Sequence, residues 1–388
     1  MRKLPDIIVA GAGISGSIIA RKFAEHNKKV LILERRNHIA GNLYDEADEN
    51  GILVQRYGPH IFHTNNKDVY EFITKYDSWM NYFHEPAVEM NGIICPSPAN
   101  YKTIDLLYNK EEADILKRQL EKYYGGQKNV TMPEILECED SVIKEYAGKL
   151  YDLNYGPYTA KQWGVPLEEV NPEVLKRVPI RLDYAGGYFD DEFQCMPERG
   201  YTHFVKNMLN HENIEIKLST DALDMLEINT EEKRIAFEAE PISIPVVYTG
   251  AIDEAMDYRY GELPYRSLRF DYQAKNMESF QEASVVAYPK AEGYTRITEF
   301  KKLPPQNIPG VTIIAYEYPL PAGKSGNNEP YYPVLADNNT ALYNKYIADL
   351  EGISNLYLCG RLADYKYYNM DTAVLRAFEV FGNIWDSL

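Results

Sequence analysis

An apolar run, Ile7-Ile8-Val9-Ala10, leads straight into Gly11-Ala12-Gly13-Ile14-Ser15-Gly16, and a second apolar run, Val30-Leu31-Ile32-Leu33, ends in Glu34. The pattern predicts a strand, a tight turn, a helix and a parallel strand, the β-α-β unit that holds a dinucleotide. Gly11 permits the turn, Gly13 lets a pyrophosphate approach the backbone, and Gly16 lets the helix pack close against the strand. The helix beginning at Ile14 then turns unpaired N–H groups toward the phosphates. Glu34 stands about 20 residues on, where a carboxylate accepts hydrogen bonds from a ribose hydroxyl and repels a 2′-phosphate. Arg2-Lys3 followed by apolar residues also fits the start of a secretory signal, but three glycines and a serine interrupt the run. The stretch from Arg35 through Arg36, Gly41 and Asn42 extends the unit into a loop suited to a long, bent cofactor, which favours FAD over NAD.

The chain of 388 residues is long enough for two or three domains, and its apolar share of 45% is that of a globular enzyme. No apolar run reaches the roughly 18 to 20 residues of a membrane span. The formal charge of −17 argues against nucleic acid and anionic membranes as partners, so an anionic ligand must be met by a few local arginines. Cys95, Cys138, Cys195 and Cys359 lack metal-ligand spacing, so neither a metal site nor a disulfide framework is expected, and a cytoplasmic location fits. Tyrosine is abundant, 33 against 13 Phe and 3 Trp. A phenol combines a flat apolar face with a hydroxyl donor, which suits a pocket for a base, a sugar and phosphates.

Farther along, Tyr57 to Thr64 reads as an extended piece with a Gly-Pro kink, and Asn65 is expected to cap a helix with Val69, Phe72, Ile73 and Tyr76 on its apolar face. Residues 100–176 read as mostly helical, with Leu116, Leu120 and Tyr123 on one face of a helix that Gly125-Gly126 stops. From Val178 short strands take over. Ile214–Leu218 alternates and is expected to pair with Arg234–Phe237, while Val246–Gly250 and Leu356–Gly360 read as buried strands ending in glycine. Further strands are expected at 284–288, 295–300 and 312–318, and a last helix from about Asp371. A dinucleotide fold whose final strand and helix lie beyond residue 355 must be built from separated segments.

Seven segments carry a more specific signal: Tyr57–Thr64, Tyr158-Thr-Ala-Lys-Gln-Trp-Gly164, Lys176–Arg181, Tyr248–Asp253, Tyr265–Leu268, Glu329–Val334 and Gly360–Tyr368. In this order, end to end, the chain resembles the bacterial UDP-galactopyranose mutases. The resemblance implies a flavoenzyme that interconverts a nucleotide-linked pyranose and furanose with no net redox change, reduced flavin N5 forming an adduct with the anomeric carbon as the diphosphate departs. The implied fold is α/β: a discontinuous FAD-binding Rossmann-like domain (1–75, 196–250, 316–388), a helical domain with a substrate lid (76–180) and an antiparallel sheet domain (181–195, 251–315). A homodimer is implied as well.

Residue by residue, the resemblance implies that Arg177, on the lid, and Arg296 bind the diphosphate; that Tyr158, Thr159, Trp163 and Tyr188 contact the nucleotide-sugar; and that Tyr318 and Tyr367 reach the diphosphate through their hydroxyls. His60, Ile61 and His63 match a loop against the flavin ring. Thr249, Gly250, Gly360, Arg361, Met370 and Asp371 match further cofactor contacts. Departures cluster around the substrate: Asn154 replaces an aromatic residue that stacks on uracil, with Tyr155 beside it; His84 replaces an asparagine near the sugar; and Asn369 replaces an aspartate. Ala40-Gly41 and Arg199-Gly200 each stand for a glycine pair. UDP-galactose or another nucleotide-linked hexose or deoxyhexose remains open as substrate. So do an FAD-dependent oxidase of the amine-oxidase type and a binding protein without catalysis.

Overall fold

A computed structural model of the chain describes residues 4–164, 166, 172–322 and 328–388. Its centre is a five-stranded parallel sheet in the order Ile214–Lys217, Val30–Leu33, Ile7–Ala10, Val246–Tyr248, Leu356–Leu358. The central strands are buried on both faces, which is why they read as unbroken apolar runs rather than alternating ones. Alternate residues nevertheless serve different layers. Ile7, Val9, Val30 and Ile32 pack with the first helix, Ile14–Glu25, and the last, Met370–Trp385, where Phe23 meets Phe381 edge-on at 4.8 Å. Ile8, Ala10, Leu31 and Leu33 pack instead on a three-stranded antiparallel meander, Leu226–Asn229, Arg234–Phe237 and Glu240–Ile242.

The expected pairing of 214–218 with 234–237 does not form. Ile214–Lys217 pairs parallel with Val30–Leu33 at the edge of the central sheet, whereas Arg234–Phe237 pairs with its two neighbours in sequence. The cap of the helix Lys67–Thr74 is Asn66, whose side chain accepts from the Val69 N–H at 3.1 Å; Asn65 instead binds Asp191 and Glu192. In the helix Lys110–Tyr124, Leu116 and Leu120 are buried, but Tyr123 is 47% exposed. It lies three residues beyond Leu120, toward the margin of the apolar stripe.

The expected domain boundaries also shift. A seven-stranded sheet runs in the order Tyr332–Pro333, Tyr265–Lys275, Thr312–Ala322, Arg296–Glu299, Val285–Ala287, Ala87–Met90, Ile93–Pro96. Two of its strands therefore come from residues placed by sequence in the helical domain, and Thr312–Ala322 continues past the expected limit at 315. The hairpin 87–96 has two faces to cover: Val88, Met90 and Cys95 join the core formed by Leu116, Leu120, Ile143, Ala147 and Leu150 of the helices. Phe193–Pro197 lies outside this sheet, between Phe62–Thr64 and Trp79–Asn81. The large sheet thus draws strands from all three of the expected sets of segments.

Candidate active site

The glycine turn behaves as its spacing requires. Gly11 has φ +108°, and a Cβ on Gly16 would stand 2.1 Å from the Gly11 carbonyl oxygen. Gly13 precedes the helix Ile14–Glu25 with no side-chain cap, so the first-turn amides are available to a ligand. Ala40 replaces a glycine yet keeps a left-handed backbone at φ +73°, and a Cβ on Gly41 would meet Gly13 Cα at 2.9 Å. The two loops together form a cradle that only backbone can line. Glu34, 5% exposed, accepts from the Ala12 N–H at 2.7 Å and the Arg36 N–H at 2.9 Å, so the carboxylate expected at the ribose also ties the two loops together.

An open cleft runs from this cradle across the end of the sheet. Gly11, Gly13, Ile14, Gly16, Glu34, Arg35, Gly41, Asn42, His60, Thr249, Gly250, Gly360, Arg361 and Met370 all line it, as does Asn369, expected nearer the substrate. Ile61 and Asp371 do not: Ile61 packs into the core, and Asp371 accepts from the Thr372 N–H at 2.7 Å. Asn369 occupies the N-cap of Met370–Trp385 without using its side chain as a cap. Asp221, Tyr248, Glu254, Tyr331 and Tyr368 also line the cleft and were not read from sequence. Tyr248, Tyr331 and Tyr368 lie in motifs quoted above, whereas Asp221 and Glu254 carry no sequence signal. At one end Arg35 pairs with Glu254 at 3.2 Å and with Glu329 at 2.9 Å, and Glu329 also holds Arg36 at 3.1 Å.

The two histidines part company. The His60 main-chain N–H donates to Gln55 Oε1 at 2.6 Å, and its carbonyl accepts from the Tyr201 hydroxyl at 3.1 Å, which fixes the backbone that carries the ring at the cleft. Its Nδ1 lies 2.9 Å from the Gly58 carbonyl, which can only accept, so Nδ1 carries the proton and Nε2 is left as an acceptor. Burial first, then the charges of Arg361 and Arg296, push its pKa down to about 4. His63 turns away, donating to Asp191 at 2.8 Å and stacking on Phe189 at 3.7 Å. It lies on the side of His84, whose pKa burial, Arg296 and His63 lower to about 3. His84 is 7% exposed, and its Nδ1 has no partner among the described residues.

Beyond His60 lies a cluster of cations and phenols. Arg296 Nε donates to Glu317 Oε2 at 2.7 Å, and its two Nη groups have no protein partner among the described residues. Burial alone would weaken this guanidinium, but the carboxylate of Glu317, 1% exposed, raises its pKa above the ordinary value. Tyr158, Tyr188 and Tyr332 lie within the electrostatic reach of Arg296, and burial raises the pKa of each, keeping the phenols as donors. Arg177 Cζ sits 4.4 Å from the Tyr367 ring centroid, and Tyr367 stacks on Tyr332 at 5.7 Å. Arg361 joins cleft to cluster, donating to the carbonyls of Tyr331 at 3.2 Å and Tyr368 at 2.5 Å while lying 5.0 Å from the Tyr332 ring.

Tyr318 is not brought to this cluster. Arg296 pairs across the sheet with Glu317, so the next residue on that strand points to the opposite face. There Tyr318 meets Tyr294 at 6.2 Å and Arg269 at 4.0 Å. Tyr332, from the Glu329–Val334 motif, takes the place expected of it. Asn154, Thr159 and Trp163 are half-buried on the helical run that carries Tyr155 and Tyr158. Tyr155 is buried beside Tyr188, and its hydroxyl has no partner among the described residues. Part of the expected lid, including Asn171, lies outside the described residues.

A family model described as UDP-galactopyranose mutase matches residues 154–367, and one described as an NAD(P)-binding Rossmann-like domain matches residues 9–76. The chain is 35% identical to the UDP-galactopyranose mutase of Mycoplasma pneumoniae, covering 96% of this chain and 94% of that one. It is also 35% identical to the dTDP-fucopyranose mutase of Escherichia coli, covering 96% of each. Among solved structures, a reduced UDP-galactopyranose mutase superimposes with a TM-score of 0.72 over 99% of this chain and 96% of that one, at 17% identity, which shows a common fold. On sequence and architecture together, the chain belongs to the UDP-galactopyranose mutase family.

Proposed function

We propose that this chain is an FAD-dependent mutase that interconverts the pyranose and furanose forms of a nucleotide-linked hexose, acting as a cytoplasmic homodimer. UDP-galactose is the first candidate substrate and a dTDP-linked deoxyhexose the second, since relatives named for each are equally similar. The observation that carries the reading is the continuity of the two sites: His60 and Arg361 belong to the dinucleotide cleft, and the charges of Arg361 and Arg296 both reach His60.

The residues present fit the cofactor. The backbone cradle of Gly11, Gly13 and Gly41 takes a pyrophosphate, Glu34 a ribose, and Thr249, Gly250, Gly360 and Arg361 the ring end. When bound and reduced, the flavin supplies a nucleophilic nitrogen to the anomeric carbon as the diphosphate leaves. The protein's own part is electrostatic. Arg296, oriented by Glu317, and Arg177, facing Tyr367, meet the negative charge gathering on the departing oxygens, with the phenols of Tyr158, Tyr188, Tyr332 and Tyr367 as donors. His60, neutral at pH 7, leaves Nε2 as an acceptor beside the ring without adding a cation. Such a site binds the leaving group at both ends of the reaction, which is what a reaction that returns the diphosphate to the same sugar requires.

The test is to reduce the purified flavoprotein with dithionite and follow UDP- and dTDP-linked hexoses by chromatography that separates pyranose from furanose. Isomerisation in the reduced state alone supports the reading and names the substrate. Bleaching of oxidised flavin by a sugar substrate, without isomerisation, would replace it with an oxidase.

A further inference from the structure

The helix Gly156–Trp163 carries Tyr158 and Thr159, and the chain continues from it to Arg177. It is held to the antiparallel sheet by an unusual contact. Lys161 Nζ lies 3.0 Å from the Tyr288 carbonyl, 2.5 Å from that of Ala291 and 2.8 Å from that of Tyr294. Three donors meet three carbonyls, so the ammonium is saturated. The turn closes on itself around it, with the Tyr288 N–H donating to the Thr295 carbonyl at 2.8 Å and the Ala291 N–H to the Tyr288 carbonyl at 3.2 Å. Arg296, the buried cation of the cluster, follows immediately. A second tie lies one residue on, in the same last turn of the helix. There Arg266 Nε donates to the Gln162 carbonyl at 3.1 Å, and its guanidinium lies so close to Gly164 that a Cβ there would stand 2.7 Å from Nη1. The left-handed glycine that ends the helix (φ +67°) makes room for the arginine.

Burying part of a cation against neutral dipoles costs solvation that an apolar side chain would not lose. Apolar packing alone would let the helix slide on the sheet, whereas three carbonyls converging on one nitrogen fix its position. We infer that Lys161 is a positioning residue for the substrate site: it locks the tyrosine helix to the turn that presents Arg296, so that Tyr158 and the guanidinium are set at one fixed separation. The inference rests on the functional reading above for its ligand, but the docking it describes stands independently of any reaction.

The test compares Lys161→Met and Lys161→Arg with the wild type as flavin-loaded full chains. UDP and dTDP affinity is read by calorimetry, isomerisation by kcat and KM, flavin content by absorbance, and backbone amide exchange over residues 156–164 and 288–295. For Lys161→Met the expected result is a tenfold or larger loss of nucleotide affinity with a matching rise in KM, flavin content within twofold of wild type, and faster exchange in both segments. Lys161→Arg should recover part of the affinity. Should Lys161→Met fail to fold, Lys161→Gln, which keeps two donors but no charge, reads the same quantities. Unchanged nucleotide affinity, or flavin and nucleotide lost in equal measure, overturns the inference. If the wild type binds neither nucleotide, the functional reading fails. The exchange measurement then decides the docking alone: faster exchange in both segments upholds it and unchanged exchange overturns it.

Discussion

The glycine-lined cleft and the proposed substrate cluster adjoin through Arg361, yet they are made in opposite ways. The cleft is shaped by backbone: glycines at Gly11, Gly13 and Gly41, an uncapped helix start, and a carboxylate that ties loops by their N–H groups. The cluster is shaped by side chains brought from six separate stretches, at Tyr158, Arg177, Tyr188, Arg296, Tyr332 and Tyr367. A backbone site tolerates few changes and loses binding outright when its glycines change. A side-chain site loses one interaction at a time, leaving its neighbour intact.

The most severe way to break this contrast is Gly16→Val, whose Cβ meets the Gly11 carbonyl at 2.1 Å. The expected outcome is protein purified with less than about a hundredth of the normal flavin affinity; retained yellow colour with normal affinity would show that the turn relaxes. Next in size, Arg296→Met is expected to lower kcat/KM by about 100- to 1000-fold while flavin content stays full, the span found when one transition-state donor is removed. It also leaves Glu317 buried without its cation, so a fall in Tm accompanies it. Loss of flavin in this variant would show that the two sites are not separable.

A third prediction concerns acid. His60 titrates near pH 4 and His84 near pH 3 when folded, against 6.5 for a histidine free in water. The unfolded chain therefore binds more protons below pH 6.5, and stability falls as pH drops from there toward 4, by about 2 to 3 kcal/mol for His60. Urea midpoints between pH 7 and 4 should show this slope, and His60→Phe should flatten part of it; an unchanged slope would mean that the ring is hydrated. The smallest effect is expected from Glu329→Gln. Its ion pairs to Arg35 and Arg36 are partly exposed, so each is worth no more than about 1 kcal/mol, and flavin should dissociate only a few times faster, less so at high salt.

The same contrast explains how much of each site the sequence made legible. The cleft was legible because backbone demands translate into glycine spacing and uninterrupted apolar strands, and most of its predicted residues do line one cavity. Residues reached only through tertiary folding, such as Asp221 and Glu254, gave no local sign. For the cluster, motif resemblance supplied the residue types, but facing was lost. Tyr318 and Tyr332 are both tyrosines on strands of one sheet, and only strand register decides which one shares the arginine's side: Arg296 opposite Glu317 turns Tyr318 away, while Tyr332 opposite Arg266, itself opposite Pro321, faces with Glu317. Parity along a strand depends on register with its partner, and register is a long-range property. The hairpin 87–96 escaped assignment to the large sheet for a similar reason, since its parallel partner, Val285–Ala287, lies about 200 residues away in sequence.

Arg361 has a consequence for anyone wishing to redirect this enzyme to another sugar or base. One guanidinium ties the carbonyls of Tyr331 and Tyr368, both of which line the cleft, lies against the rings of Tyr332 and Tyr367, and helps hold His60 neutral. It is a party wall, and altering it for one tenant disturbs the other. Freedom to vary lies at the far side of the cluster, where His84 Nδ1 and the Tyr155 hydroxyl are unpartnered among the described residues. Libraries confined to that far side should change which nucleotide-sugar is accepted while the flavin site is inherited unaltered.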